Sequence, residues 1–484
     1  MSTAWESSGT WDLTVDVVVA GIGMAGSAAA IAAHDAGATV LVIEKEDEAH
    51  CGGNSRVSGN CWWENLDEHA AAEYLVAMSG DDPPPPAVVE VWARETARNT
   101  EWVRALDVPT SLLAGSEPPE FPELAGAAGY GGMNVVGDTW GMSRLWQAVY
   151  AGVRRRAIDV RLSSPVTDLI MDEGSVAGVE CTLGGTTSRV RARRGVVLAT
   201  GGFEANPDMV VEHLGVRGSV PWGSPANSGD GIAIAERAGA DLWHMNNYMP
   251  MVGLAAPGWR TGFHIAPQHR GLVFVDGSAR RFGNEFPAGG HGHALVDGRY
   301  QLFPPPGMIV VFDEQTRLSG PLFPPLDRSP YSWNAIIEGY RWSDDNSVEL
   351  ERGWFTKADT VAGLAAALGL DGEQLTTTIE QYNAACAIGL DETFGRDPAS
   401  LAPVATAPFY GFVSPPVVGY TCGGPRRDER ARVLRPDGSA IARLFAAGEL
   451  SSTYGWCMDG GMMIGDALVF GRIAGANAAA EEPR

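Results

Sequence analysis

Val15 to Glu44 reads V-D-V-V-V-A-G-I-G-M-A-G-S-A-A-A-I-A-A-H-D-A-G-A-T-V-L-V-I-E. Val15 to Ala20 is an apolar, β-branched run of the kind that forms a strand buried on both faces of a parallel sheet. Gly21, Gly23 and Gly26 follow at once, and the alanine-rich stretch after them predicts a helix closed by Gly37. T-V-L-V-I then makes a second strand that ends at Glu44. Strand, glycine turn, helix, strand and terminal acid form one βαβ unit, and α/β is the expected fold class.

A lone G-x-G-x-x-G is common by chance in a glycine-rich chain. Here Glu44 stands 18 residues after Gly26, close to the ~20 expected of an acid that binds ribose hydroxyls in a dinucleotide site. Gly21 permits the turn, Gly23 admits a pyrophosphate to the backbone, and Gly26 lets the helix lie close to the strand with its N-terminus toward the anion. Directly after Glu44 comes C-G-G-N-S-R-V-S-G-N, Cys51 to Asn60. This loop offers backbone N–H groups and the short side chains of Asn54, Ser55 and Ser58 to an anion or a polar ring edge, or else is plain surface.

Farther along, Asp81 to Pro86 is a stiff proline spacer, and Ala87 to Leu106 has an amphipathic helical pattern. A second βαβ-like element is expected to end at G-V-V-L-A-T-G-G-F, Gly195 to Phe203. A third strand-and-glycine junction lies at A-R-L-F-A-A-G-E-L, followed by a loop and an alanine- and glycine-rich helix. Three such junctions from both ends of the chain predict one nucleotide site, with an inserted, irregular second domain between about Ala240 and Pro408. The boundaries expected are 15–239 with 411–480 for the nucleotide domain and 240–410 for the insert.

At 484 residues, two domains or more are expected. Hydrophobic residues at 45% with 61 glycines exclude a coiled coil or a disordered chain. The net charge of −24 disfavours nucleic acid and anionic lipid as partners. The six cysteines form no C-x-x-C pair, so no metal site is expected and the chain reads as intracellular, hence cytoplasmic. The polar, acidic N-terminus lacks a signal-peptide pattern, and no apolar run reaches the ~20 residues of an integral membrane segment.

V-V-V-A-G-I-G-M-A-G with Glu44, G-G-N-S-R-V-S-G from Gly52 and A-T-G-G-F from Ala199 are the first parts of a larger pattern. They are followed by G-D-G-I-A-I-A-E-R-A-G-A from Gly229, R-R-F-G-N-E from Arg280, and A-A-G-E-L with D-G-G-M-M-I-G-D-A-L-V-F-G-R-I-A-G. In this order they resemble the fumarate reductase and succinate dehydrogenase flavoprotein superfamily, in its 3-ketosteroid dehydrogenase-like branch. The resemblance implies a Rossmann-like, glutathione-reductase-type domain for non-covalent FAD, with an inserted α+β capping domain. It implies Glu44 and Lys45 at the adenosine end, and Gly53, Asn54, Ser55, Ser58 and Gly59 near the pyrophosphate and flavin. Val166, Thr200, Gly201, Gly202 and Asp230 would lie around the nucleotide. Glu449 would meet the ribityl chain. Gly461, Met462, Met463 and Ile464 would bring a helix N-terminus to the flavin's pyrimidine edge, where its dipole stabilises negative charge.

Departures from that family shape the expected substrate. Tyr420 stands where the family has a histidine before T-x-G-G, Met458 replaces an arginine, and N-N-Y-M-P-M replaces a second histidine. A dicarboxylate would lose its cationic clamp. Tyr420, Tyr454, Trp456, Met458, Met249, Met251 and Trp222 instead suit a hydrophobic carbonyl compound. The expected reaction moves hydride between flavin and a carbon–carbon bond beside that carbonyl. The candidates for the proton are Tyr454, Tyr420, Arg281 at the family's proton-donor place, and His291 or His293, whose ordinary pKa of about 6.5 suits acid–base work. Arg281 could equally anchor the insert through Glu285, and Tyr454 could be a packed aromatic. The alternatives are a carbon–carbon double-bond reductase with Arg281 as donor, and the flavoprotein subunit of an electron-transfer complex. The electron acceptor is not legible.

Overall fold

The structure, a computed structural model, describes residues 10–116 and 118–484. Its central strand is β1 (Leu13–Ala20), which runs into α1 (Met24–Asp35) and returns as β2 (Val40–Ile43). Val17, Val18 and Val19 are wholly buried, as a two-faced parallel strand requires. Gly37, in the left-handed region at φ 87°, ends the helix. The neighbours in the same sheet are β3 (Asp159–Arg161), β4 (Val166–Asp172), β5 (Ser175–Leu183), β6 (Thr186–Leu198), β7 (Arg432–Leu434) and β8 (Ala440–Ala446). The order is β7-β8-β5-β6-β1-β2-β3, with β4 paired to β5. β1 is parallel to β2 and β6, with Val19 opposite Val42 and Val197.

Two expectations need correction. The strand that ends at Leu198 is not reached through a helix: β4, β5 and β6 are an antiparallel meander. Thr186 to Arg194 carries alternating polar residues, the period of a half-exposed hairpin. The Ala87 to Leu106 pattern is two helices, Pro86–Thr96 and Asn99–Arg104, broken at Ala97 and Arg98.

α2 (Met462–Ala480) packs closely on α1, because small residues let the backbones touch. A Cβ at Gly471 or Gly475 would strike the backbone of Ala25 or Ala29. The chain divides into two compact units. The first is Met1–Gly215, Gly223–Tyr248 and Tyr420–Arg484, and contains the large sheet. The second is Val216–Trp222 with Met249–Gly419.

The second unit is more regular than its sequence implied. Leu272–Val275, Met308–Asp313, Phe409–Ser414 and Thr356–Ala358 form a four-stranded sheet in that order. Alternation along the strands separates its faces. Val273, Val275, Ile309 and Val311 pack on helices Val361–Leu368 and Gly372–Ile388 through Leu364, Leu375 and Ile379. Phe274, Phe312 and Phe412 join Phe263, Trp342 and Trp354 in an aromatic cluster on the other face.

Candidate functional site

The first unit holds a cleft of roughly 800 Å³, open mouth included, above the C-terminal ends of β1, β2 and β6. Gly21, with φ 97°, turns the chain where a Cβ would collide with the carbonyl of Ala199. Gly26 does not line the cleft; it lies against the Gly21 carbonyl and sets how closely α1 approaches β1. Gly23 and Gly53 form an open cradle, since a Cβ on either would meet nothing closer than 3.4 Å.

The side chains around this cradle are held by backbone. Glu44 accepts from Ile22 N at 3.0 Å and from Glu46 N at 2.9 Å, so its carboxylate braces the glycine turn from below. Burial pushes its pKa up while those two amides oppose the shift. Ser55 Oγ accepts from Met24 N at 2.9 Å, and Lys45 Nζ donates to Asp230 Oδ2 at 2.6 Å and Ser228 Oγ at 2.8 Å. Thr200 Oγ1 is buried on the cleft wall without a hydrogen-bond partner. An orphaned hydroxyl beside a glycine cradle at a helix N-terminus matches the donors a dinucleotide needs, so the residues present fit FAD.

Of the residues expected at the cofactor, the cleft brings together Gly21, Gly23, Glu44, Lys45, Gly53, Asn54, Ser55, Val166, Thr200, Gly201, Asp230 and Glu449. Ser58, Gly59 and Gly202 are not on its wall. Ser58 and Asn60 shape the turn after a short helix, Gly53–Val57, where a plain loop was expected. Gly461 N-caps α2 at φ 78°, with Met462, Met463 and Ile464 in its first turn; Ala467 is the part of that helix that reaches the cleft.

Sequence reasoning missed Glu204, Ser224, Asn227 and Trp146. Asn54 Nδ2 donates to Glu204 Oε1 at 2.7 Å and to Glu449 Oε2 at 3.0 Å, while its Oδ1 accepts from Ser224 N at 2.8 Å. Trp146 lies against Gly52 and donates to Ile22 O at 2.9 Å, tying the glycine turn to the next loop. A lone aromatic in an amphipathic helix, and an acid two residues past a glycine pair, carry no spacing signal. The nearest available clue was the acid itself, in an otherwise apolar context.

Among the proton candidates, Tyr454 is wholly buried and spends its hydroxyl on Met462 O at 2.7 Å, while Trp92 Nε1 donates to it at 3.1 Å. This is the arrangement of a packed aromatic whose hydroxyl already has its partners. Tyr420 differs: its hydroxyl reaches only the thioether of Met458, at 4.0 Å, a weak acceptor. Burial, with Cys422, Glu120 and Glu449 nearby, raises its pKa well above the phenol range, so it remains a donor at neutral pH.

Arg281 lies in the second unit. It makes a two-pronged pair with Glu285 at 2.8 Å and a third bond to Asp391 at 2.9 Å, with the Tyr382 and Phe394 rings on it. Arg396 meets Glu285 from the other side at 3.1 Å. The two carboxylates hold the guanidinium cationic against the opposing effect of burial, so it is a poor proton donor and a good anchor. Arg281→Ala should cost the second unit about 3–5 kcal/mol by stranding the buried Asp391 and leaving Glu285 to Arg396 alone. Denaturant melts should report that loss while turnover per folded molecule stays near wild type. In the same unit, His291 takes a left-handed backbone at φ 44° between Gly290 and Gly292. Burial lowers the pKa of His293 to about 4, leaving a neutral imidazole.

Fold and cleft together define a dinucleotide-binding oxidoreductase scaffold. The FAD binding domain family model matches residues 16–462, and the chain belongs to that family. It is 31% identical to a 3-oxosteroid 1-dehydrogenase of Mycolicibacterium smegmatis over 96% of this chain and 97% of that one. A fumarate reductase (cytochrome) of Shewanella frigidimarina is 28% identical over 96% of this chain and 77% of that one. The fold matches the crystal structure of 3-ketosteroid delta1-dehydrogenase from Sterolibacterium denitrificans in complex with 1,4-androstadiene-3,17-dione. That match has a TM-score of 0.78 and 23% identity, covering 96% of this chain and 99% of that one. The cofactor is FAD, and the protein is a FAD-dependent oxidoreductase. Among the described residues, no helix is long and apolar enough to cross a membrane.

Proposed function

We propose that the protein oxidises a carbon–carbon bond beside the carbonyl of a hydrophobic, steroid-like ketone. The first unit would hold FAD non-covalently, and the second, residues 216–222 and 249–419, would cap the substrate. The observation that carries this reading is the end-to-end likeness to a 3-oxosteroid 1-dehydrogenase. Tyr420 and Met458 support it, since a phenol and a thioether stand where a dicarboxylate would need cations.

FAD, when bound, accepts hydride from a substrate carbon. Tyr420, kept protonated by its buried surroundings, donates a hydrogen bond to the substrate carbonyl and stabilises charge that develops there. It polarises the ketone rather than removing a proton. Proton removal from the neighbouring carbon is assigned to an imidazole, and His293 stays neutral down to about pH 4. The six cysteines are free thiols, which fits a cytoplasmic site of action.

Anaerobic mixing with a 3-ketosteroid should bleach the flavin absorbance. If instead dithionite-reduced protein is reoxidised by an enone and no ketone bleaches it, the reductase direction replaces this one. Reduction by a partner protein alone would make it an electron-transfer subunit. Tyr420→Phe should lower kcat about 10²–10³-fold, the usual cost of one such donor, with FAD content unchanged. An unchanged kcat would remove Tyr420 from the reaction.

A further inference from the structure

Glu204 and Glu449 converge beneath the cofactor cleft from chain segments far apart in sequence. Glu204 is 1% exposed, follows the Gly201–Gly202 pair, and lies behind Glu449, which lines the cleft. One amide bridges both: Asn54 Nδ2 is 2.7 Å from Glu204 Oε1 and 3.0 and 3.2 Å from the two oxygens of Glu449. Its orientation is set by Ser224, whose N–H can donate only to the amide oxygen. Asn227 Nδ2 adds a second bond to Glu204 Oε1 at 2.8 Å, and Thr421 N donates to Glu449 Oε1 at 3.2 Å.

Every donor is therefore spent on three of the four carboxyl oxygens. Glu204 Oε2 is buried with no N–H or O–H directed at it. It faces Glu449 across the Cα of Gly202, where a Cβ would overlap Glu204 Oε2, Glu449 Oε1 and Thr421 Oγ1. Two buried acceptors crowded around that position repel unless one of them carries a proton.

We propose that Glu204 and Glu449 share a single proton and act as one carboxyl–carboxylate unit, with Glu204 as the positioning residue that fixes the charge and orientation of Glu449 toward FAD. The proposal rests on Glu449 facing the cofactor. Burial raises both pKa values, and the charge of Glu204 pushes that of Glu449 further, well beyond the carboxylate range. The other titratable groups facing Glu449 are Tyr420 and Cys422, both kept neutral by burial. The unit thus presents one negative charge rather than two beside an anionic cofactor. The folded state holds a proton that the unfolded chain releases above about pH 4.3. Stability from this unit is therefore full at low pH and falls as pH rises, about tenfold in the folding equilibrium per pH unit, until the pair ionises completely.

Glu204→Gln replaces the shared proton by an amide N–H without changing shape. Infrared difference spectra of wild type minus Glu204→Gln at pH 7.5 should show a protonated-carboxyl C=O stretch in both apoprotein and holoprotein. The variant's apoprotein stability between pH 5 and 8 should lack the tenfold-per-unit decline. No such band, or parallel pH profiles, would overturn the shared proton. Glu204→Ala, which also releases Asn54 and Asn227, should raise the Kd for FAD at least tenfold by fluorescence titration, while Glu204→Gln stays within a few-fold of wild type. If the band is present but Glu204→Ala binds FAD normally, the pair stands and its placement toward the cofactor is wrong.

Discussion

Gly26→Val yields a colourless protein. The Cβ of any residue at 26 would be driven into the carbonyl of Gly21, backbone that cannot yield without moving the turn. α1 must then lift from β1, and two things fail together. The helix N-terminus leaves the anion site, and the Gly471 and Gly475 contacts with Ala25 and Ala29 open on the far side. Overpacking of this kind costs about 1–3 kcal/mol or more, and the displaced amides add to it, so the Kd for FAD should rise 100-fold or beyond. Gly37→Asn is the matched control. Gly37, unlike the helical Gly26, is a left-handed glycine, but nothing lies within 4 Å of its Cβ position, and asparagine tolerates that conformation. It should purify yellow. A yellow Gly26→Val protein with near-normal FAD affinity would mean that the close helix–strand approach is not what builds the site.

The second large effect is expected at Arg427. Its side chain and that of Asp466 are both 0% exposed and meet at 3.1 Å. Arg427 also donates to Ser451 O and Thr453 Oγ1, both at 2.8 Å, and lies on the Phe470 ring. It thereby ties the segment that precedes α2 to α2 itself. Burial lowers the arginine's pKa and raises that of the aspartate, and each charge offsets the burial of the other. Arg427→Leu should strand Asp466 and cost about 3–5 kcal/mol, with FAD loss following because the segment before Gly461 loses its tether. Adding Asp466→Leu should return much of that stability, since an apolar pair of similar volume is often neutral. Chemical denaturation of the two singles and the double measures the coupling; additive losses would show that the pair does not act as a unit.

The βαβ unit was legible because its information is local: β-branched residues on one strand, three glycines at fixed spacing and an acid at the next strand end. The residues that line the cleft from Gly21 to Ser55 follow from it. What could not be read are relations between distant segments. Glu204, Asn54 and Glu449 meet through folding alone, and Arg281 looked equally fit for chemistry or anchoring until Asp391 was seen beside it and Arg396 beside its partner Glu285. Tyr454 and Tyr420 are both tyrosines near family glycines; only the position of Trp92 and Met462 separates a satisfied hydroxyl from one still available. The meander β4–β5–β6 was mistaken for a crossover because a buried strand end looks alike whichever route leads to it.

The interlock of α1 with α2 has a consequence for how the protein is made. The glycine turn leaves the ribosome more than four hundred residues before the helix that backs it. At ordinary elongation rates the interval is tens of seconds, during which β1 and α1 have no finished surface to settle on. The intervening unit has its sheet and helices contiguous within 249–419 and can fold meanwhile as a block. Cofactor capture is thus a late event in biosynthesis, since the glycine turn has no backing until α2 arrives.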